Sequence, residues 1–563
     1  MVPLLSFFKT AAEFALLISV IVFFHELGHL VVGKLCGVKA LRFSIGFGPK
    51  LFGFQLGETE YRLSALPLGG YVKFAGDNPL EELPAEDRGR GFLEQRPLKK
   101  AAIAFAGPGA NFVLAVLLYF CIYLTPHRDL ASTVGYVKPD SPAAKAGLSY
   151  GDTIVGIDGS KVDGFLSLQE KVSASAGRPV TLEVLRNGVR RLVQLVPATH
   201  EVANPIETVQ RGRIGISASP RAAEIAVAGP DTPAGKAGLA TFDVVTAADG
   251  KPVENYEQLG QLLGARLAQV TGSPAQGSRS IALDVLRRDP VQAPGGTLWR
   301  QAPVHAVLEV PAGARRPRDL GIASADLNAF VVQPGSAAAE AGLRRGDRLI
   351  SVQGQPVRGW DDELESTLRA AGTNPVDLRI LRDGKELTLT VRQHLRKTVD
   401  DAGVRVEVPE LGAAPDFLAP VGEPGFVRVR WTPLQAARHA VADTFGATRM
   451  MTLGIYKIVT GHISSEAVGG PLMIASVARK AADSGWQTFV AVMAMISVNL
   501  GLMNLIPLPV LDGFHVLSAG IESVQRRPLS LRFREVANVV GIVLVLGLML
   551  FALKNDVVRT MLE

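Results

Sequence analysis

The sequence predicts an α-helical integral membrane protein: four transmembrane helices, membrane-associated β-hairpins, and a large α/β portion set between the second and third spans. Three observations predict it. The 563 residues are 47 % hydrophobic and only 20 % charged, and the mean hydropathy is +0.22, above the usual range for a water-soluble chain. Four apolar runs approach the ~20 residues that a bilayer requires. The stretch between the second and third runs repeats one pattern three times. A chain of this length exceeds one ordinary core, so several domains are expected.

The first span lies in residues 1–36, within Leu4 to Leu35. The N-terminus has only Lys9 as a basic residue and no clear small-x-small site after the apolar run, so no cleaved signal is expected. The second span, residues 98–124, is interrupted by Gly107-Pro108. The third, residues 486–511, is interrupted late by Pro507 and Pro509. The fourth lies in residues 536–554 and is the cleanest. Proline and glycine at membrane depth predict kinks or unwound ends, tolerated where protein or water lines the backbone.

Orientation follows from basic residues near span ends. Lys34, Lys39, Arg42, Arg96, Lys99 and Lys100 lie in the loop between the first two spans or at the span ends that face it. Arg526, Arg527, Arg532 and Arg534 lie between the last two, in the loop 512–535. Both loops are expected to be cytoplasmic. The central region then lies across the membrane, in the periplasm of a bacterial inner-membrane protein.

Residues 37–97 form the first cytoplasmic loop. Within it, Ala40 to Phe74 alternates apolar and polar residues with glycine breaks, which predicts β-hairpins at the membrane face. The central region follows. "SPAAKAGLSYGDTIVGIDGSKV" (Ser141 to Val162) matches "SAAAEAGLRRGDRLISVQGQPV" (Ser336 to Val357), and "TPAGKAGLATFDVVTAADGKPV" (Thr232 to Val253) is a weaker copy. Each reads as a short Ala-rich helix, a Gly/Asp turn and a strand. Asn187-Gly188 and Asp383-Gly384 turn strand pairs in the first and third copies. The core Ala-Gly-Leu-x-x-Gly-Asp resembles that of PDZ domains of the bacterial protease type. PDZ-like modules are therefore expected over 130–200, 210–312 and 318–396. The middle one diverges, with Phe242-Asp243 in place of Gly-Asp and a Gly/Ser/Pro insertion near Gly272 to Arg279. A linker with an amphipathic helical segment, Pro433 to Gly461, fills 397–485.

The net charge of +6 is explained by Lys and Arg flanking the spans. No nucleic-acid-binding signature is present. Cys36 and Cys121 are the two cysteines, too few for a disulfide framework.

The chemistry is concentrated in "HELGH", inside the first span. Residues four apart lie on one face of a helix, so His25 and His29 can grip one metal ion. Glu26 follows the first ligand and can reach a metal-activated water. Ionisable groups within a span cost at least a few kcal/mol each and usually mark function. A catalytic zinc wants a third protein ligand and an open position. Asp512, at the end of "NLGLMNLIPLPVLDGFH", lies on the side of the membrane expected for His25 and His29. Cys36 and His515 are its rivals.

HELGH in the first span, Asn-x-x-Pro-x-Pro-x-Leu-Asp-Gly in the third, Gly107-Pro108-x-x-Asn111 in the second, Gly470-Pro471 ahead of the third and PDZ-like modules between resemble the site-2 protease family of intramembrane zinc metalloproteases (peptidase family M50), over essentially the whole chain. The resemblance implies zinc held by His25, His29 and Asp512, with Glu26 as catalytic base. It implies Asn504, Pro507 and Pro509 as substrate-binding residues. It also implies that the hairpins add an edge strand to an extended substrate. The chain departs at Gly513-Phe514, where the family has Gly-Gly, and in having three PDZ-like modules where two are usual.

The implied activity is site-2 cleavage of single-span membrane proteins, in regulated intramembrane proteolysis. The substrate is a pre-trimmed anti-sigma factor or a remnant signal peptide. The implied partners are the lipid bilayer and peptide C-termini bound by the PDZ-like modules. The rivals are a membrane-anchored PDZ scaffold or chaperone with a vestigial metal site, and a metal transporter. The single carboxylate base and the lack of further intramembrane polar residues count against transport.

Overall fold

The computed structural model describes residues 2–78, 83–203, 207–272, 280–293, 296–360, 364–399, 405–415 and 425–560. The chain forms two compact units, residues 1–127 with 430–563, and residues 128–400 with 405–429.

The first unit is helical. Among the described residues, four helices are long and apolar enough to cross a membrane. They belong to α1 (Val2–Leu35), α2 (Pro97–Leu124), α5 (Trp486–Asn504) and α7 (Leu531–Thr560). Three further helices are α3 (Pro433–Val459), α4 (Pro471–Ser484) and α6 (Asp512–Gln525). α2 is the hub, packing against α1, α3, α5 and α6. It runs through Pro108 without ending.

Close helix approach depends on glycine. A Cβ on Gly28 would stand 2.2 Å from the Ala106 carbonyl oxygen, and one on Gly501 would stand 3.0 Å from that of Pro108. α1, α2 and α5 therefore meet almost backbone to backbone. Leu17, Ile21, Leu114 and Met493 fill the space beside these crossings.

Between α1 and α2, β1 (Ala40–Leu56) pairs antiparallel with β2 (Thr59–Phe74). The pairing slips register repeatedly along its length, as expected of a sheet bent by bulges. Its root packs through Phe43 and Phe74 with Leu30 and Ile103. Its far end leaves Leu51, Phe52, Phe54 and Leu56 exposed.

The third apolar run does not continue as one helix to Leu511. α5 stops at Asn504, because Pro507 and Pro509 lack the N–H groups a further turn needs. Asp512 then opens α6 in its first turn, where a negative charge suits the helix dipole. The Pro433 to Gly461 segment is α3, capped by Thr432 and Gln435 in a capping box. The stretch read as linker ahead of the third span also contains a second helix, α4.

The second unit contains the three repeats. In the first module, the sheet order is Ser160–Lys161, Thr153–Ile157, Val180–Arg186, Val189–Leu195. The third has the same order with Gln355–Pro356, Arg348–Val352, Val376–Arg382 and Lys385–Val391. The middle module has six strands, including a long hairpin of Ser280–Ala293 and Gly296–Glu309. Most of the insertion expected near Gly272 to Arg279 lies outside the described residues. Each module has its own apolar core.

One ion pair recurs in all three. Arg186 grips Asp152, Arg287 grips Asp243 and Arg382 grips Asp347, at 2.6, 2.7 and 2.6 Å. Each arginine also donates to the carbonyl of the preceding glycine turn, at Gly147, Gly238 and Gly342. The aspartate of the divergent "Phe-Asp" thus keeps the role it has in the other two copies. Phe242 sits at φ 78°, where its counterparts Gly151 and Gly346 sit at 83° and 96°. Its ring packs edge-on against Phe330 at 4.9 Å.

Candidate active site

α1 presents His25 and His29 one turn apart, toward α2 and the start of α6. Their Nε2 atoms are 3.3 Å from one another. Asp512 Oδ2 lies 3.1 Å from His25 Nε2 and 3.4 Å from His29 Nε2. Among the described residues, these three are the one group of histidine, cysteine and carboxylate side chains arranged to hold a metal ion. Cys36 and His515 are not in it.

The separations test the fit. A tetrahedral zinc with ligands ~2.0–2.2 Å away spaces them about 3.3–3.5 Å apart. The three observed separations fall at or beside that range. Two neutral imidazole nitrogens and a carboxylate also form a donor set suited to zinc, with a fourth position left for water or substrate.

Both rings are held from behind by α2. His29 Nδ1 lies 2.7 Å from the Ile103 carbonyl oxygen, so Nδ1–H donates there and Nε2 keeps its lone pair. His25 Nδ1 lies 3.2 Å from the side-chain amide of Asn111. Asn111 is fully buried, and with its nitrogen toward the ring its Oδ1 has no partner among the described residues. The opposite amide orientation lets Oδ1 accept from Nδ1–H, leaving His25 Nε2 free as a donor to metal. Ser497 Oγ, from α5, donates to the Asn111 backbone carbonyl at 2.9 Å.

Gly107 lies between these two supports. A Cβ there would stand 2.2 Å from His29 Nε2 and 2.8 Å from His25 Nε2. The position has room for no side chain, because that room is where the two nitrogens converge.

Glu26 is half-buried and turned toward β2, where it hydrogen-bonds the Val72 backbone. A Cβ on Gly70 would come within 3.0 Å of Glu26 Cγ. The hairpin therefore borders the carboxylate directly.

Asn504, the last residue of α5, places Nδ2 3.4 Å from His25 Nε2. Pro507 is exposed and Pro509 half-buried in the turn before α6. Pro509 abuts α7, where a Cβ on Gly541 would stand 2.3 Å from its carbonyl oxygen. Gly513 has no alternative either, since a Cβ there would meet the Leu505 and Ile506 carbonyls at 2.3 and 2.5 Å. Phe514, in place of a second glycine, lines a cavity together with His515, Lys100, Glu522 and Arg534. Sequence reasoning did not single out Ile103, whose contribution is a backbone carbonyl. Asn111 was visible in a motif but without a role.

Comparison with known proteins agrees with this geometry. The family profile described as "Peptidase family M50" matches residues 13–548. A Ralstonia nicotianae protein named "Putative zinc metalloprotease RSc1411" is 31 % identical, over 98 % of this chain and 99 % of its own. "Regulator of sigma-E protease RseP" of Escherichia coli is 29 % identical, over 99 % of this chain and 100 % of its own. A crystal structure of a PDZ domain protein from Parabacteroides distasonis aligns with 52 % of this chain and 100 % of its own at 11 % identity, with a TM-score of 0.12, too low to carry an argument. The match across both halves of the helical unit means that the chain belongs to peptidase family M50 and is a zinc metalloprotease of the intramembrane, site-2 type.

Proposed function

We propose that His25, His29 and Asp512 hold the zinc, and that Glu26 is the general base for peptide hydrolysis within the membrane. The observation that carries this is the mutual spacing of 3.1–3.4 Å among three ligand atoms from two distant parts of the chain. Zinc bound there supplies a Lewis acid that polarises the scissile carbonyl and acidifies water. Glu26 takes the proton of the attacking water and returns it to the leaving amine. Ile103 and Asn111 fix the tautomers of the two histidines. Asn504, Pro507 and Pro509 bind the substrate backbone at the mouth of the site.

A helical substrate has no free carbonyl to offer. It must be extended, and main-chain pairing with the edge of the β1–β2 hairpin holds it so. Gly70, against Glu26, brings that edge to the base.

The reading continues to substrate and location. The chain resides in a bacterial inner membrane, with the hydrolytic site toward the cytoplasm and the three PDZ-like modules in the periplasm. Its substrates are single-span membrane proteins already trimmed on the periplasmic side, of the anti-sigma-factor class or remnant signal peptides. The name of the Escherichia coli relative, a regulator of sigma-E protease, supports the former. The PDZ-like modules receive new peptide C-termini or screen substrates by size.

The test is cleavage of a model single-span substrate by the purified protein and its Glu26→Gln variant, with metal content measured alongside. The expected result is cleavage by the wild type alone, with about one zinc per chain in both. Zinc in both and no cleavage of a panel of pre-trimmed substrates by either would instead favour a membrane-anchored scaffold.

A further inference from the structure

Away from the proposed metal ligands, a cluster of three charged side chains from three helices is packed into the helical unit. Glu522, on α6, is 3 % exposed, and Lys100, on α2, is 8 % exposed. Glu522 Oε2 accepts from Lys100 Nζ. Its Oε1 accepts from Arg534 of α7, and from the Leu529 backbone N–H at 3.1 Å. One carboxylate thus ties α2, α6 and α7 together. A buried carboxylate with two cations and an amide is satisfied, whereas losing one partner strands the others in a poorly solvated place.

The position of the cluster matters more than its strength. Lys100 lies three residues before Ile103, on the same face of α2, and the Ile103 carbonyl holds His29. Glu522 lies ten residues after Asp512 on one continuous helix, a separation of about 15 Å. α2 thus carries the supports of both histidines, and α6 carries the carboxylate that meets them. The cross-tie joins these two helices away from the metal. Between Asn504 and Asp512 the chain is a proline-containing turn that cannot by itself fix the direction of α6.

We propose that Glu522 is a positioning residue for the hydrolytic reaction: clamped by Lys100 and Arg534, it sets the direction of α6 and so the distance of Asp512 from the histidine pair. It touches neither substrate nor metal. The inference rests on the reading of His25, His29 and Asp512 as the metal site.

The test uses the full-length protein in detergent, loaded with zinc or with cobalt(II) as a spectroscopic stand-in. The variants are Glu522→Gln, Glu522→Asp and, as a control, Asp87→Asn. Asp87 is buried and paired with Lys39 at 2.7 Å in the same unit, and neither residue lies on a helix that carries a proposed ligand or its support. Glu522→Gln is expected to weaken zinc binding by roughly 10–100-fold, to shift the cobalt visible bands, and to lower kcat with KM little changed. Glu522→Asp keeps the charge on a shorter arm and is expected to fall between Gln and wild type in all three readouts. It also serves if the Gln variant fails to fold. Asp87→Asn is expected to lower the thermal midpoint with the cobalt spectrum and zinc affinity unchanged. If the Glu522 variants also keep the wild-type spectrum and affinity and lose only thermal midpoint, the positioning role is overturned and the cluster merely holds the fold. A wild type that takes up neither zinc nor cobalt would overturn the metal-site reading beneath it.

Discussion

Glu257 carries a residue-scale cost that pH can expose. It lies in the middle module, with both carboxylate oxygens buried and no other residue donating to them among the described residues. Burial, reinforced by the nearby negative charge of Asp326, pushes its pKa up from 4.5 to about 7, while Arg221 pulls the other way. Arg221 is itself occupied, paired with Asp326 at 2.6 Å and stacked 4.0 Å from the Tyr136 ring. A carboxyl with a raised folded-state pKa binds its proton more tightly folded than unfolded. Its stabilising share is therefore intact below about 4.5 and is lost as pH rises toward about 7. Glu257→Gln, neutral at every pH, is expected to match the wild type in thermal midpoint at pH 4 and exceed it by several degrees at pH 8. An equal difference at both pH values would mean that Glu257 binds its proton equally well folded and unfolded.

Legibility at this scale divides by the kind of signal. His25, Glu26, His29 and Asp512 could be read because spacing on a helix and a proline-marked turn leave traces in the order of residues. Lys100 and Arg534 were read only as charges flanking spans, since a charge does not name its partner. Ile103 left no trace, because any residue has a carbonyl. Phe242 misled in part. Its side chain breaks the Gly-Asp pattern at a positive φ, yet Asp243 still pairs with Arg287.

Among the elements, the decisive contacts are helix crossings. A Cβ added at Gly107 overlaps His29 Nε2 at 2.2 Å, and the clash cannot be relieved without moving a proposed ligand or α2 itself. Gly107→Ala is expected to lower cleavage by 100-fold or more, at roughly 1.4 kcal/mol per tenfold, and to lower zinc content with it. Gly446, inside α3, has no atom of another described residue within 4 Å of where a methyl group would stand, its own helix backbone and chain neighbours aside. Gly446→Ala is therefore expected to stabilise by about 0.5–1 kcal/mol and leave cleavage unchanged. Parallel assays of cleavage and thermal unfolding check both. If Gly107→Ala keeps full activity, the crossing at the histidines is looser than these distances require. The composition of "AGPGAN" suggested a kink. Only the fold shows α2 passing through Pro108 and lending its glycine to the site. The hairpin could be foreseen from alternation, whereas its repeated register shifts could not, since a bulge adds a residue to one strand without marking the alternation.

The whole molecule is a helical hydrolytic unit with a second unit inserted between two of its spans. The repeats made that insertion legible, but not how its modules join. Tyr136 of the first module donates to Asp326, beyond the core of the middle module, at 3.1 Å. Arg221 joins both residues. Phe242 of the middle module packs on Phe330 of the third. Such contacts are chosen in three dimensions between segments far apart in sequence. The modules are thus stitched to one another rather than strung on free linkers, which suits a size screen better than three independent peptide binders. The chain enters and leaves this unit at adjoining points, for Ala131 N–H donates to the Gly425 carbonyl at 2.6 Å. Excising residues 132–424 and joining Ala131 to Gly425 therefore spans a gap that one peptide bond and slight relaxation close. If the modules screen by size, the excised protein is expected to cleave a single-span substrate with its periplasmic domain intact as fast as the pre-trimmed form. The full chain should cleave only the pre-trimmed form. Measured side by side in one membrane preparation, a retained preference for the trimmed substrate after excision would place the selection in the helical unit, at the hairpin or the mouth of the site.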